Sequence, residues 1–175
     1  SDGRGGALNH DGSAALSLTR VTLAGNWSDG QGAGAWLGSS GGQVLGNVTF
    51  SGNQSGAVGG ALYLGDAAQL TSVTIANNNA STGGGLYASS DGAAVTLRNV
   101  LLFNNGGGNF VHGGGTVQSL GYNLSSDTVP LLNQTGDRNG ADLRLAALAD
   151  NGGFTRTHAL LAGSDAIDAG HSASA

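Results

Sequence analysis

The sequence has no cysteine, no lysine and no glutamate, and a single proline in 175 residues. Without cysteine there is no disulfide framework and no thiol chemistry, and the redox compartment goes unmarked. All eleven acids are aspartates and all six bases are arginines. Lysine and glutamate favour helices. Their absence, beside abundant glycine, asparagine, serine and threonine, points to strands and turns. Charge is sparse, and its balance of −5 lacks the basic face that nucleic acid requires. No apolar run is long enough for a membrane-spanning helix, and no signal peptide is visible. The chain starts at Ser1 already inside a repeat, as a piece of a longer precursor would.

What is present is a repeat. Leu18-Thr-Arg-Val-Thr-Leu-Ala-Gly-Asn26 recurs as Leu45 to Asn53, Leu70 to Asn78 and Leu97 to Asn105, on the template L-x-x-V-[TL]-[LFI]-x-x-N. The closing asparagines, Asn26, Asn53, Asn78 and Asn105, recur every 25 to 27 residues. A second motif precedes each: Gly5-Gly-Ala-Leu8, Ala33-Gly-Ala-Trp36, Gly59-Gly-Ala-Leu62 and Gly83-Gly-Gly-Leu86. Turn-forming stretches such as Asn9-His-Asp-Gly12 and Gly38-Ser-Ser-Gly-Gly42 separate the two motifs. Glycine at 34 positions, with periodic apolar residues and almost no proline, excludes a linker or a collagen.

A fixed period of this length, with two or three short strands in it, is the signature of a solenoid. The expected fold is all-β: a right-handed parallel β-helix of 25–27 residues per coil, over residues 1–125, with an irregular C-terminal cap over 126–175. A coil buries its apolar face only against its neighbours. Strand alternation predicts interior columns of Val21, Val48, Val73 and Val100; of Leu23, Phe50, Ile75 and Leu102; of Leu18, Leu45, Leu70 and Leu97; and of Leu8, Trp36, Leu62 and Leu86. The residues that follow the last set, Leu37, Tyr63 and Tyr87, are then expected outside, as an apolar column suited to an interface or to cover by Val129-Pro-Leu-Leu132. The four asparagines are expected to form a side-chain ladder along the stack. The competing reading is glycan attachment, because Asn26-Trp-Ser28, Asn53-Gln-Ser55 and Asn79-Ala-Ser81 match N-x-[ST]. Past Asn105 the pattern decays. Thr116 to Leu124 fits one more coil, Ala141 to Leu148 is the one place for a short helical turn, and the tail is expected to cover the last open edge.

Three stretches go beyond fold class: Ser119-Leu-Gly-Tyr-Asn-Leu124, Leu148-Ala-Asp-Asn-Gly-Gly-Phe-Thr-Arg-Thr-His-Ala-Leu161 and Gly163-Ser-Asp-Ala-Ile-Asp-Ala-Gly170. They resemble the C-terminal half of bacterial choice-of-anchor Q proteins, and the upstream repeats resemble those of polymorphic outer-membrane adhesins. The resemblance implies a right-handed parallel β-helix in a secreted or surface-anchored bacterial protein. It brings no catalytic residues with it. Asp165 stands where that family carries a proline after Gly-Ser, and Leu143 where it carries one after Asp142.

The residues suggest no enzyme. A polysaccharide lyase or hydrolase needs clustered carboxylates, and here the acids are scattered, mostly at turns; Asp11, Asp66 and Asp91 are expected near one corner, but beside Gly or Ala. Asp137, Asn139 and Asp142 have the alternating spacing of a calcium loop without its terminal glutamate, against a plain turn held by side-chain-to-backbone bonds. The four histidines share no spacing, and His158 reads as a packing or hydrogen-bonding residue. The outward column of Thr22, Thr49 and Thr74, interrupted by Leu101, suits a strand surface and only faintly an ice-binding array. No cofactor is implied. The leading expectation is a non-enzymatic extracellular structural protein, a surface adhesin or a filament subunit stacking head-to-tail through open solenoid ends, with itself as partner. The alternative is a carbohydrate-binding or carbohydrate-active β-helix, with cell-surface polysaccharide as partner and Trp27, Tyr63 or Tyr87 stacking on sugar rings.

Overall fold

A computed structural model of the chain describes residues 3–38, 40–89 and 94–172; Asp91 lies outside them. The fold is a parallel β-solenoid with three faces. The first face stacks Leu8–His10, Ala35–Leu37, Leu62–Leu64, Leu86–Ala88 and Phe110–His112. The second and third faces are the two halves of a continuous run in the early rungs, Leu16–Ala24 and Gln43–Ser51. Later rungs divide it into Ala68–Thr71 and Thr74–Ala76, then Ala94–Arg98 and Leu101–Phe103. Thr116–Ser119 and Leu124–Ser125 complete the fifth rung. Every pairing between rungs is parallel and in register: Val21 beside Val48, Leu23 beside Phe50, Leu97 beside Leu70. The three interior columns expected from the V-T-L repeat are therefore real, and from the second rung to the fourth their members are buried.

Local sequence dictates the corners. Each turn of the solenoid needs a left-handed residue to swing the chain onto the next face. One column of them opens the first face at Gly5, Gly32, Gly59 and Gly83, with φ from 58° to 66°. Only glycine adopts that angle at no steric cost. A second column, at Arg20, Asn47, Ser72, Asn99 and Tyr122, divides the second face from the third, with φ from 53° to 61°. A third lies just before the ladder asparagines, at Gly25, Gly52, Asn77 and Asn104. Asparagine tolerates the left-handed region through local side-chain hydrogen bonds, which accounts for its frequency at the ends of the repeat.

Residues 126–172 divide between the end of the solenoid and its side, and the helical turn expected among them is absent. The stretch Ala141 to Leu148 forms no helical turn: Leu145–Ala149 is a strand, paired antiparallel with Thr157–Leu160. That hairpin also does not sit on the end of the solenoid. It runs back along the outside of the third face, with Phe154 5.5 Å from the Arg20 guanidinium in the first rung. The end itself is filled from within. Val129 and Leu132 are buried in the main core, and Arg138–Asn139 pairs with Leu124–Ser125. At the opposite end, Leu8, Leu16, Leu18, Val21 and Leu23 are only partly buried.

Candidate functional site

The four repeat asparagines form a hydrogen-bonded column. Asn26 donates from its Nδ2 to Asn53 Oδ1 at 2.8 Å, Asn53 to Asn78 at 2.9 Å and Asn78 to Asn105 at 2.9 Å. Each Oδ1 also accepts the backbone N–H of the asparagine one rung before. Each Nδ2 of Asn53, Asn78 and Asn105 gives a second bond to a carbonyl of the preceding rung. Asn53 and Asn78 are about 1% exposed, where an unpaired amide would be costly. The repeat also hid the end of the ladder. Asn105 passes to Asn109, only four residues on, and Asn109 reaches Ser125 Oγ at 2.8 Å and, through its backbone N–H, Asp127 at 3.0 Å. A parallel set ends similarly: Asn123, in the slot of the valine column, donates to Asp137.

This arrangement bears on the glycan reading. In Asn26-Trp-Ser28 and Asn53-Gln-Ser55 the asparagine belongs to the ladder, and the serine hydroxyl donates to a carbonyl one rung back, Gly3 and Gly30 respectively. Both elements of the motif are consumed by rung-to-rung bonding. Asn79 is exposed, while Ser81 donates to the Ala57 carbonyl.

The expected interface column needs correcting by one residue. Ala35, not Trp36, lies beside Leu8 and Leu62; Trp36 lies beside Tyr63, and Leu37 beside Leu64. Leu37 is therefore wholly buried and belongs to the core, while Trp36 joins Tyr63 and Tyr87 on the outside. The aligning signal was the left-handed glycine: Gly32 matches Gly59, so the second-rung motif reads Gly32-Ala-Gly-Ala35. Trp36, Tyr63 and Tyr87 stack with centroids 5.7 Å apart and planes within 14°. The rung spacing is about 4.8 Å, so the rings are offset, the favourable geometry. The Arg4 guanidinium sits 4.8 Å above Trp36, whose ring also lies against Gly38 and is 8% exposed. Both faces of Trp36 and Tyr63 are thus occupied, by Arg4 and by neighbouring rings, and Tyr87 has one face on Tyr63. Val129-Pro-Leu-Leu132 does not cover this column, since Val129 and Leu132 point into the core.

The candidate calcium-loop residues serve three separate contacts. Asp137 accepts from the Ser119 hydroxyl at 2.5 Å and from the backbone N–H groups of Asn123 and Gln134 at 2.8 Å. Asn139 accepts from Val129 N–H and donates to the Leu132 carbonyl, fastening the plug. Asp142 pairs with Arg144 at 2.6 Å. They do not converge on one point.

The threonine column of the third face is covered by the returning hairpin. Thr22 donates to the Arg156 carbonyl, and His158 bridges the Ala146 carbonyl and the Ser51 hydroxyl. Leu101 and Phe103, where the threonine pattern breaks, pack against a small second core of Leu124, Ala141 and Leu143, as do Leu145, Ala166 and Ala169. Asn99 exchanges two hydrogen bonds with the His171 backbone, which ties down the tail. Among the described residues two large aromatics are left open: Trp27, 59% exposed on the ridge between the third face and the first, and Phe154, 91% exposed in the turn of the hairpin. Compared against family models, curated proteins and solved structures, the chain matches none.

Proposed function

We propose that the protein is a non-enzymatic structural protein of the cell exterior, a surface adhesin or filament subunit that associates with copies of itself. The observation that supports this reading is a repetitive rod whose ladder asparagines, together with Ser28 and Ser55, are spent on rung-to-rung hydrogen bonds.

Light scattering and negative-stain microscopy across a dilution series test this. The expected result is particles larger than one rod of five rungs, about 24 Å long at about 4.8 Å per rung, that grow with concentration. Fibres with a one-rod repeat would assign head-to-tail stacking. Single rods at every concentration would sink self-association.

A further inference from the structure

The ridge between the third and first faces carries exposed side chains that no part of the fold uses. Trp27 pairs in register with Gln54, Gln54 bridges to Asn79, and Asn79 bridges to Gly106. The neighbours on either side point inward: Asn26 and Ser28, Asn53 and Ser55, Asn78 and Ala80. Alternation therefore places Trp27, Gln54 and Asn79 in one outward row, at steps of about 4.8 Å. All three are exposed. The side-chain amides of Gln54 and Asn79 make no hydrogen bond among the described residues, in contrast to the saturated ladder amides one residue before them.

We infer that this row is a binding site for an extended neutral glycan chain. A pyranose presents an apolar face of C–H groups and a rim of hydroxyls that both donate and accept. The open Trp27 ring suits the first. The primary amides of Gln54 and Asn79, each with two donors and an acceptor, suit the second. The row is straight and repeats at constant spacing, so it favours a polymer over a single sugar. It is also uncharged: Ser51 to Val58, Ala76 to Thr82 and Phe103 to Gly108 contain no Asp or Arg. Arg4 and Asp29, of opposite sign, border it near Trp27. A neutral chain is therefore preferred over a uronate or a sulfated one. Trp36 and Tyr63 cannot serve the same purpose, because both faces of each are already covered, and Tyr87 keeps one face on Tyr63. The site lies on the side of the rod and does not depend on how the ends associate.

Native-gel retardation by embedded mixed-linkage β-glucan, galactomannan and dextran tests the assignment, with intrinsic fluorescence recorded on the same mixtures. Retardation by at least one polymer is expected, with a shift in the emission of exposed Trp27. Trp27→Ala should weaken binding at least tenfold, which is about 1.4 kcal/mol, without moving the melting temperature. Gln54→Ala with Asn79→Ala should weaken it several-fold, and Tyr63→Leu should leave it unchanged. No retardation by any of the three polymers, or equal retardation of Trp27→Ala and the wild type, overturns the site.

Discussion

The first and third faces of the solenoid meet the same difficulty in opposite ways. Both carry large side chains on the outside of a strand. On the first face these are Trp36, Tyr63 and Tyr87, and they cover one another, with Arg4 closing the exposed end of the stack. On the third face they are Leu101 and Phe103, one rung holding both, and the chain returns to lay Ala141 and Leu143 against them, with Leu145, Ala166 and Ala169 around. Planar rings at one rung spacing make their own cover. Without such a stack a second layer is needed, and the returning chain supplies it. The C-terminal segment thus does two jobs: Val129 and Leu132 fill the end of the core, and the later residues lie along the third face.

Four substitutions break or sharpen this contrast. The largest effect belongs to Leu37→Ala. A buried leucine truncated in a packed column costs about 2 to 5 kcal/mol, whereas an outward leucine beside the tyrosines would cost under about 0.5 kcal/mol. Urea denaturation separates the two. Next comes Asn78→Ala, which belongs to neither outer face and sets a reference for both. It strips the acceptor from two N–H groups of Asn53, and a cost of about 3 kcal/mol is expected. Leu101→Thr completes the threonine column while removing apolar cover, so a loss of about 1 to 2 kcal/mol is expected. Hydrogen exchange should quicken in Leu145–Ala149 and Thr157–Leu160 and stay unchanged in Leu62–Leu64. The smallest effect is that of Tyr63→Leu, about 1 kcal/mol from the lost stacking. Exchange in the hairpin should not respond; a matched response in both places would show that the two faces are not independent.

The sequence made the solenoid legible because its physics is periodic. A column of valines or asparagines announces itself once the spacing is seen, and the neighbours of Val48 or Asn53 follow from the register alone. Leu37 was misplaced because Ala33-Gly-Ala-Trp36 resembles Gly59-Gly-Ala-Leu62 in letters, while the backbone aligns on the left-handed glycine. An apolar match shifted by one residue inverts inside and outside, and strand alternation gives no warning. The tail was illegible for a different reason. Contacts such as Thr22 with Arg156, or Asn99 with His171, join residues far apart in sequence and occur once each, so no period records them. Asn109 was hidden similarly: it takes a ladder place four residues after Asn105, through a run of three glycines. Of the surface row, Trp27 was visible as a candidate, but its partners Gln54 and Asn79 required the register.

The asparagine column also has grammar. Each Oδ1 listens to the rung before, while each Nδ2 speaks both ways, to the next asparagine and back to a carbonyl of the preceding rung. Asp127 closes the sentence. An ionised carboxylate accepts and has nothing to pass on, and an asparagine above it would find no acceptor beyond. Whole rungs inserted between Asn26 and Asn105 keep the syntax, because every new amide receives from one side and gives to the other. The same insertion beyond Asp127 would follow a full stop. The repeat thereby writes the cross-section of the rod, and Asp127 marks where its asparagine column stops.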